Sequence, residues 1–200
     1  MQGAARRGDC ELAYLDESGF APTLPTGHTW ARRGVRPYVW HEYPRGRRVH
    51  ALGALLVTGT ARRLVAHTRT TRLDARALLD FLWRDVAGLP GTVDDPPADC
   101  RRTRPLTVVL DNYSVHHGRV VKAALPALAR AGITLFYLPP YSPELNRIEQ
   151  EWRVLKYESL PVRSHDTASD LQAAVDTAIA VRATHYDRLS QPTANSEQGA

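Results

Sequence analysis

Two apolar runs in this chain each end in an aspartate. Leu12-Ala13-Tyr14-Leu15 leads into Asp16, and Leu106-Thr107-Val108-Val109-Leu110 leads into Asp111. Open α/β sheets bind ligands beyond the carboxyl ends of their parallel strands, so neighbouring strands of this kind would present both carboxylates at one edge. Close carboxylates repel, and ionising both is costly without a cation. Mg²⁺ resolves the conflict, because it takes oxygen ligands and keeps waters or substrate phosphates in its remaining positions.

A third carboxylate would complete such a site. The segment after Tyr141 offers Glu144, Glu149, Glu151 and Glu158. Ser142 and Pro143 suit the start of a helix reaching about Ser159. On that helix Leu145, Ile148, Trp152 and Leu155 form an apolar stripe facing the core. Ser142, Asn146, Glu149, Arg153 and Lys156 form a polar stripe beside it. Glu149 lies on the border, near the sheet and open to solvent. Glu151 is roughly 200° away at ~100° per residue and should point outward. Glu144, in the first turn, is the rival for the third position. Arg153 and Lys156, one and two turns beyond Glu149, are placed to hold phosphates. The blander alternative makes Asp16 and Asp111 strand-end turn residues and Glu149 a solvated helix residue.

The elements that must position these acids follow from pattern. Leu12–Leu15 reads as a buried strand running into a turn at residues 16–19. Thr29–Arg33 and Val35–Trp40, punctuated by Gly34, suggest a second strand or hairpin arm, and Val49–Val57 a third strand closed by Gly59. Asp74 opens a helix carrying Leu78, Leu79, Leu82 and Val86, stopped by Gly88 and Pro90. Residues 91–105 form a loop rich in Pro, Asp and Arg. Leu106–Leu110 is a strand buried on both faces. A helix over Arg119–Arg130, a buried strand over Ile133–Leu138 and a last amphipathic helix over Thr167–Arg188 complete the series. The order β-β-β-α-β-α-β-α-α predicts an α/β protein with an RNase H-like fold. Its mixed five-stranded sheet has three antiparallel early strands, later parallel strands and flanking helices. Residues 1–190 are expected to form a single domain, with a disordered tail over 191–200.

Composition narrows the class. Of 200 residues, 43% are hydrophobic and 24% charged, the profile of a globular protein with room for a core. No apolar run is long enough to span a bilayer, and no apolar stretch follows Arg6 and Arg7, so neither membrane span nor signal peptide is expected. Cys10 and Cys100 fit free thiols, and the expected compartment is the cytoplasm. The net charge of +5 favours a polyanionic partner, although Arg-rich composition also follows from a GC-rich genome. Arg45, Arg47 and Arg48 can track a DNA backbone or form a solvated hairpin. Tyr141 and Trp30 can stack on bases, with packing on the core the plainer role.

These residues also carry a family resemblance. Tyr14-Leu15-Asp16-Glu17-Ser18-Gly19-Phe20, with Thr29-Trp30-Ala31-Arg32-Arg33-Gly34 and Pro37, resembles the opening of a DDE transposase domain. So does Val108-Val109-Leu110-Asp111-Asn112 with Ser114, His116 and His117. The segment Leu138-Pro139-Pro140-Tyr141-Ser142-Pro143-Glu144-Leu145-Asn146-Arg147-Ile148-Glu149, with Trp152 and Lys156, resembles the third block of the bacterial insertion-sequence-630 branch of the mariner superfamily. The resemblance runs from about Glu11 to Ser159, and the 37 residues from 112 to 148 suit the family's spacing. Arg147 stands where the family usually has Pro, which should alter the helix start more than the chemistry.

The resemblance implies a transposase catalytic domain that cleaves DNA and transfers strands with two Mg²⁺ or Mn²⁺ ions. Asp16 would bridge both ions, and Asp111 and Glu149 would each hold mainly one. It implies double-stranded DNA, both transposon ends and target, as partner, and a homodimer as working unit. Arg153, Lys156, Asn112, His116, Arg47 and Arg48 are the candidate DNA contacts. His116 and Asn112 also have plain readings, as loop and turn residues. Family members usually carry helix-turn-helix domains before the catalytic block, and no such domain fits ahead of residue 12. Two alternatives are a relic that only binds DNA and another RNase H-like nuclease.

Overall fold

The computed structural model describes residues 1–22, 31–38, 48–160 and 165–190. Its sheet has five strands: β1 (Glu11–Phe20), β2 (Val49–Thr58), β3 (Ala61–Arg69), β4 (Leu106–Leu110) and β5 (Ile133–Tyr137), in the order β3-β2-β1-β4-β5. β2 is antiparallel to both β1 and β3, and β1, β4 and β5 run parallel. The helices are α1 (Gln2–Arg7), α2 (Ala75–Phe81), α3 (Arg119–Arg130), α4 (Ile148–Val154) and α5 (Ala168–Ser190). This is the α/β, mixed-sheet architecture expected of an RNase H-like fold.

Alternation along the strands sends side chains to two cores. Ala13 and Leu15 of β1 and Leu52, Ala54 and Leu56 of β2 pack with Leu78 and Leu79 of α2 and Val121 and Leu128 of α3. Leu12, Tyr14 and Phe20 of β1 pack on the opposite face with Ile148 and Trp152 of α4 and Leu171 and Val175 of α5. The helix caps follow their chemistry. The Asp74 side chain accepts from the Ala77 amide at 2.8 Å to open α2, which continues as a π-turn to Val86. Thr167 and Asp170 cap each other's amides at the start of α5.

The strand count was legible, but two identities were not. Within the described part of the expected second strand, residues 31–38 form no strand. A turn centred on Arg33 and Gly34 is closed by a bond from the Val35 amide to the Arg32 carbonyl. Thr29, Trp30 and residues 39–47 lie outside the described residues, as does 191–200. The third antiparallel strand is β3. It is an edge strand whose only buried residue is Leu64, so it lacks a continuous apolar signal. Its cue was the two-residue connection Gly59-Thr60, with Gly59 at positive φ. β1 also does not turn at Asp16. It stays paired with β2 through Phe20↔Val49, which places Asp16 in mid-strand opposite Gly53.

The third-block helix is interrupted. Pro143–Leu145 is one 3₁₀ turn, Asn146 is extended, and α4 begins only at Ile148 before a π-turn over Leu155–Ser159. Leu145 therefore leaves the expected apolar stripe and is exposed. Ser142 makes no cap bond; its hydroxyl donates to the Pro140 carbonyl at 3.4 Å. No helix of the described residues is long and apolar enough to cross a membrane.

Candidate active site

β1 and β4 pair in parallel only as far as Tyr14↔Val109. Two residues further along each strand stand Asp16 and Asp111, at the point where the sheet opens between them. Asp16 is buried, with 8% of its surface exposed. Its carboxyl is pushed up to about 7 by burial first, then by the charge of Glu149, with Asp111 adding to the rise. Glu149 comes within hydrogen-bonding reach of the Asp16 carboxyl. Asp111 goes the other way. A hydrogen bond from His116 holds its carboxyl below the usual range, with a further contribution from the Tyr113 amide. Asp111 and Glu149 line an open cleft of about 430 Å³ with Asn112, Tyr113, Tyr141 and Asn146. Among the described residues no group of three or more His, Cys, Asp or Glu side chains stands close enough together to hold a metal ion.

Residues 11–172 match the family described as DDE superfamily endonuclease. The chain belongs to that family. Its fold is similar to that of the Mos1 mariner paired-end complex with Mn, at 15% identity and a TM-score of 0.56 over 88% of this chain and 49% of that one. The Mos1 strand transfer complex is similar at 13% identity and a TM-score of 0.51, over 93% and 54% of the two chains. A simian T-cell lymphotropic virus intasome is similar at 13% identity and a TM-score of 0.51, over 94% and 57%. At these identities the likeness is one of fold. The DDE chain described here spans about half the length of those solved chains. No curated protein matches it.

The residues around the acids of this DDE endonuclease fall into three groups. Arg153 is exposed, Lys156 is half-buried, and both line a groove beside Glu149 with Gln150 and Tyr157. The Lys156 ammonium sits 5.5 Å over the Phe20 ring, and burial draws its pKa down against the pull of Glu149 and Asp16. Asn112 is exposed in the cleft. Arg48 is exposed with its guanidinium over Gly19, whereas Arg45 and Arg47 lie outside the described residues. Tyr141 overturns the packing expectation, being 100% exposed at positive φ on the rim of the cleft.

Two placements correct the sequence reading. His116, expected among the DNA contacts, is 1% exposed and has no surface to offer a phosphate. The short 3₁₀ turn Ser114–His117 folds its ring under the loop after β4. Glu151, expected to point outward, is buried because α5 covers that side of α4, where Arg182 and Tyr186 meet it. Arg147 does sit at the helix start, with its guanidinium 5.5 Å over the Tyr14 ring.

Two further residues position the site. The Asn146 carboxamide, buried, donates to the Leu15 carbonyl at 3.0 Å, tying the chain just before α4 to the residue preceding Asp16. That bond fits the extended Asn146 backbone that breaks the helix. Gly53, opposite Asp16, lies beneath α4; a Cβ there would come within 2.5 Å of the Trp152 ring. A glycine inside an apolar strand is the sequence signal for such an approach. Gly53→Ala is expected to cost about 1–3 kcal/mol by overpacking. It should also lift α4, and Glu149 with it, away from Asp16. Denaturant unfolding checks the first effect, and a fall in the Asp16 pKa, measured by carboxyl ¹³C NMR, checks the second.

Proposed function

We propose that this chain carries out divalent-metal-dependent cleavage and strand transfer of DNA in transposition, with Asp16, Asp111 and Glu149 as ligands of two Mg²⁺ or Mn²⁺ ions. One observation carries the reading. A buried mid-strand aspartate is pushed up to about 7 by burial and by two acids from distant parts of the chain. Such a carboxyl holds a proton where a cation would otherwise sit. The donor set is carboxylate oxygen throughout, which suits a hard ion. When bound there, divalent ions supply Lewis-acid activation of the attacking oxygen and charge neutralisation at the leaving 3′-oxygen.

The protein's own contribution is placement. Parallel pairing of β1 with β4 brings Asp16 and Asp111 to the same end of the sheet, two residues beyond the last pair. Asn146 fixes the approach to α4, and so the reach of Glu149. Arg153 and Lys156 offer cations to phosphates along the groove beside Glu149. Water serves as nucleophile for cleavage and a DNA 3′-hydroxyl for joining, so Ser18 and Ser114 have no covalent part. The Mos1 structures of similar fold are complexes with transposon ends and a strand transfer complex. That supports double-stranded DNA, both ends and target, as the partner. A homodimer as the working unit and the cytoplasm as the compartment belong to the same proposal and rest on the sequence reading alone. The third-block resemblance supports the insertion-sequence-630 branch.

Nicking of supercoiled plasmid tests the proposal. Activity is expected with Mg²⁺ or Mn²⁺ and not with EDTA, and Asp111→Asn is expected to lower it on the order of 10³-fold. DNA retention without nicking under any metal would instead indicate a binding-only relic. Arg153→Ala and Lys156→Ala are each expected to weaken DNA binding uniformly across sequences. Each should reduce the log–log salt slope by about 0.9, read by fluorescence anisotropy over a KCl series. An unchanged slope would remove these residues from the DNA path.

A further inference from the structure

His116 is enclosed beside the acids without being one of them. Its Nδ1 lies 2.9 Å from Asp111 Oδ1, and its Nε2 faces Glu17 Oε1 at 3.7 Å. That second separation suits facing charges and is too long for a hydrogen bond; neither atom has another hydrogen-bond partner. Glu17 follows Asp16 directly and points to the opposite face of β1. The ring therefore spans from the residue beside one acid to the carboxylate of the other.

This span covers a gap that the backbone leaves open. Pairing between β1 and β4 stops two residues short of the acids. Asp111 begins a loop, and its side chain is 50% exposed, so strand geometry alone does not fix its rotamer. His116 is itself held firmly. Its amide donates to the Tyr113 carbonyl at 3.0 Å, its carbonyl accepts from the Tyr137 hydroxyl at 2.9 Å, and the Tyr113 ring meets its edge. Nδ1 of this fixed ring meets Oδ1 of Asp111, with the Asp111 carbonyl at 3.3 Å, and the Tyr113 amide donates to the same Oδ1 at 3.2 Å, so both contacts fall on one oxygen of the carboxylate.

We propose that His116 is a positioning residue that sets the Asp111 carboxylate for a divalent cation, with Glu17 facing its far nitrogen. The inference rests on reading the three acids as a metal site. Residues that orient a metal ligand typically change affinity 10–100-fold when replaced.

Mn²⁺ binding to the full chain, followed by the electron paramagnetic resonance of free Mn²⁺, tests it without reference to activity. Three variants decide: His116→Leu, His116→Asn, which keeps an N–H near the place of Nδ1, and His116→Gln, which keeps one near Nε2. The expected result is Mn²⁺ affinity at least about tenfold weaker for the Leu and Gln variants, with the Asn variant recovering most of the loss. Metal-free DNA binding should be the same in all three. Should the Leu variant fail to fold, the Asn and Gln pair decides alone. Equal Mn²⁺ affinity in Asn and Gln, or wild-type affinity in a folded Leu variant, overturns the positioning role while leaving the metal site standing. Folded wild-type protein that binds no Mn²⁺ overturns the metal reading, and this inference with it.

Discussion

In metal-free buffer at pH 8, Asp16→Asn is expected to melt above the wild-type chain. With Mg²⁺ added it is expected to nick DNA on the order of 10³-fold more slowly. Both effects have one cause. Burial, then Glu149, then Asp111 raise the folded-state pKa of Asp16 from 3.8 to about 7. Between those values the folded chain holds a proton that the unfolded chain has released. Wild-type stability therefore falls as pH rises through that window and levels off above it. A rise of about three units corresponds to about 4 kcal/mol at most. At about 2–4 °C per kcal/mol for a chain of this size, several degrees separate the two proteins at pH 8 and almost none at pH 4. Mg²⁺ binding only the folded state narrows the gap by stabilising the wild type. Thermal melts from pH 4 to 8, with EDTA and with Mg²⁺, read all of this. A gap that is constant with pH would mean that Asp16 is not crowded by the other acids.

What was legible in the sequence was whatever the chain encodes locally. β4 stands where its apolar run placed it, because that run is buried whatever covers it. α3 and β5 also stand where pattern placed them, but α3 buries only one stripe, and β5, expected to be buried, is the other edge strand with only Ile133 buried. The ends of β1 were not legible. Leu12–Leu15 is apolar while residues 16–19 are mostly polar or small, yet the strand continues because β2 pairs with it to Phe20. That continuation puts Asp16 inside the sheet and accounts for its burial. β3 was hidden by being an edge strand, with Arg62, Arg63 and His67 on a half-solvated ribbon. Asn146 carried a polar signal that fits either a helix face or a buried anchor, and only the contact with Leu15 decides.

The same limit governs the two neighbouring acids of α4, and Glu151→Ala is the variant expected to lose stability. Glu151 is buried between α4 and α5, where Oε2 accepts from Arg182 Nε at 2.7 Å and Oε1 from the Tyr186 hydroxyl at 2.6 Å. Its helical angle pointed to solvent, but α5, arriving from far along the chain, covers that side. Breaking a buried ion pair by removing one partner costs about 3–5 kcal/mol. Arg182 is about a quarter exposed and partly regains water, so about 2–3 kcal/mol is expected here, a melting point lower by roughly 5–10 °C. Glu149→Gln should behave in the opposite way. It leaves an exposed position unburdened and relieves Asp16, so its metal-free melting point is expected to hold or rise while metal-dependent nicking is lost. The Glu151→Ala variant, assayed below its own melting transition, is expected to retain most of its nicking. The two carboxylates sit two residues apart on one helix and separate cleanly into one that holds α4 in place and one that faces the cleft. If instead Glu151→Ala melted with the wild type and lost nicking, the third acid of the site would be Glu151.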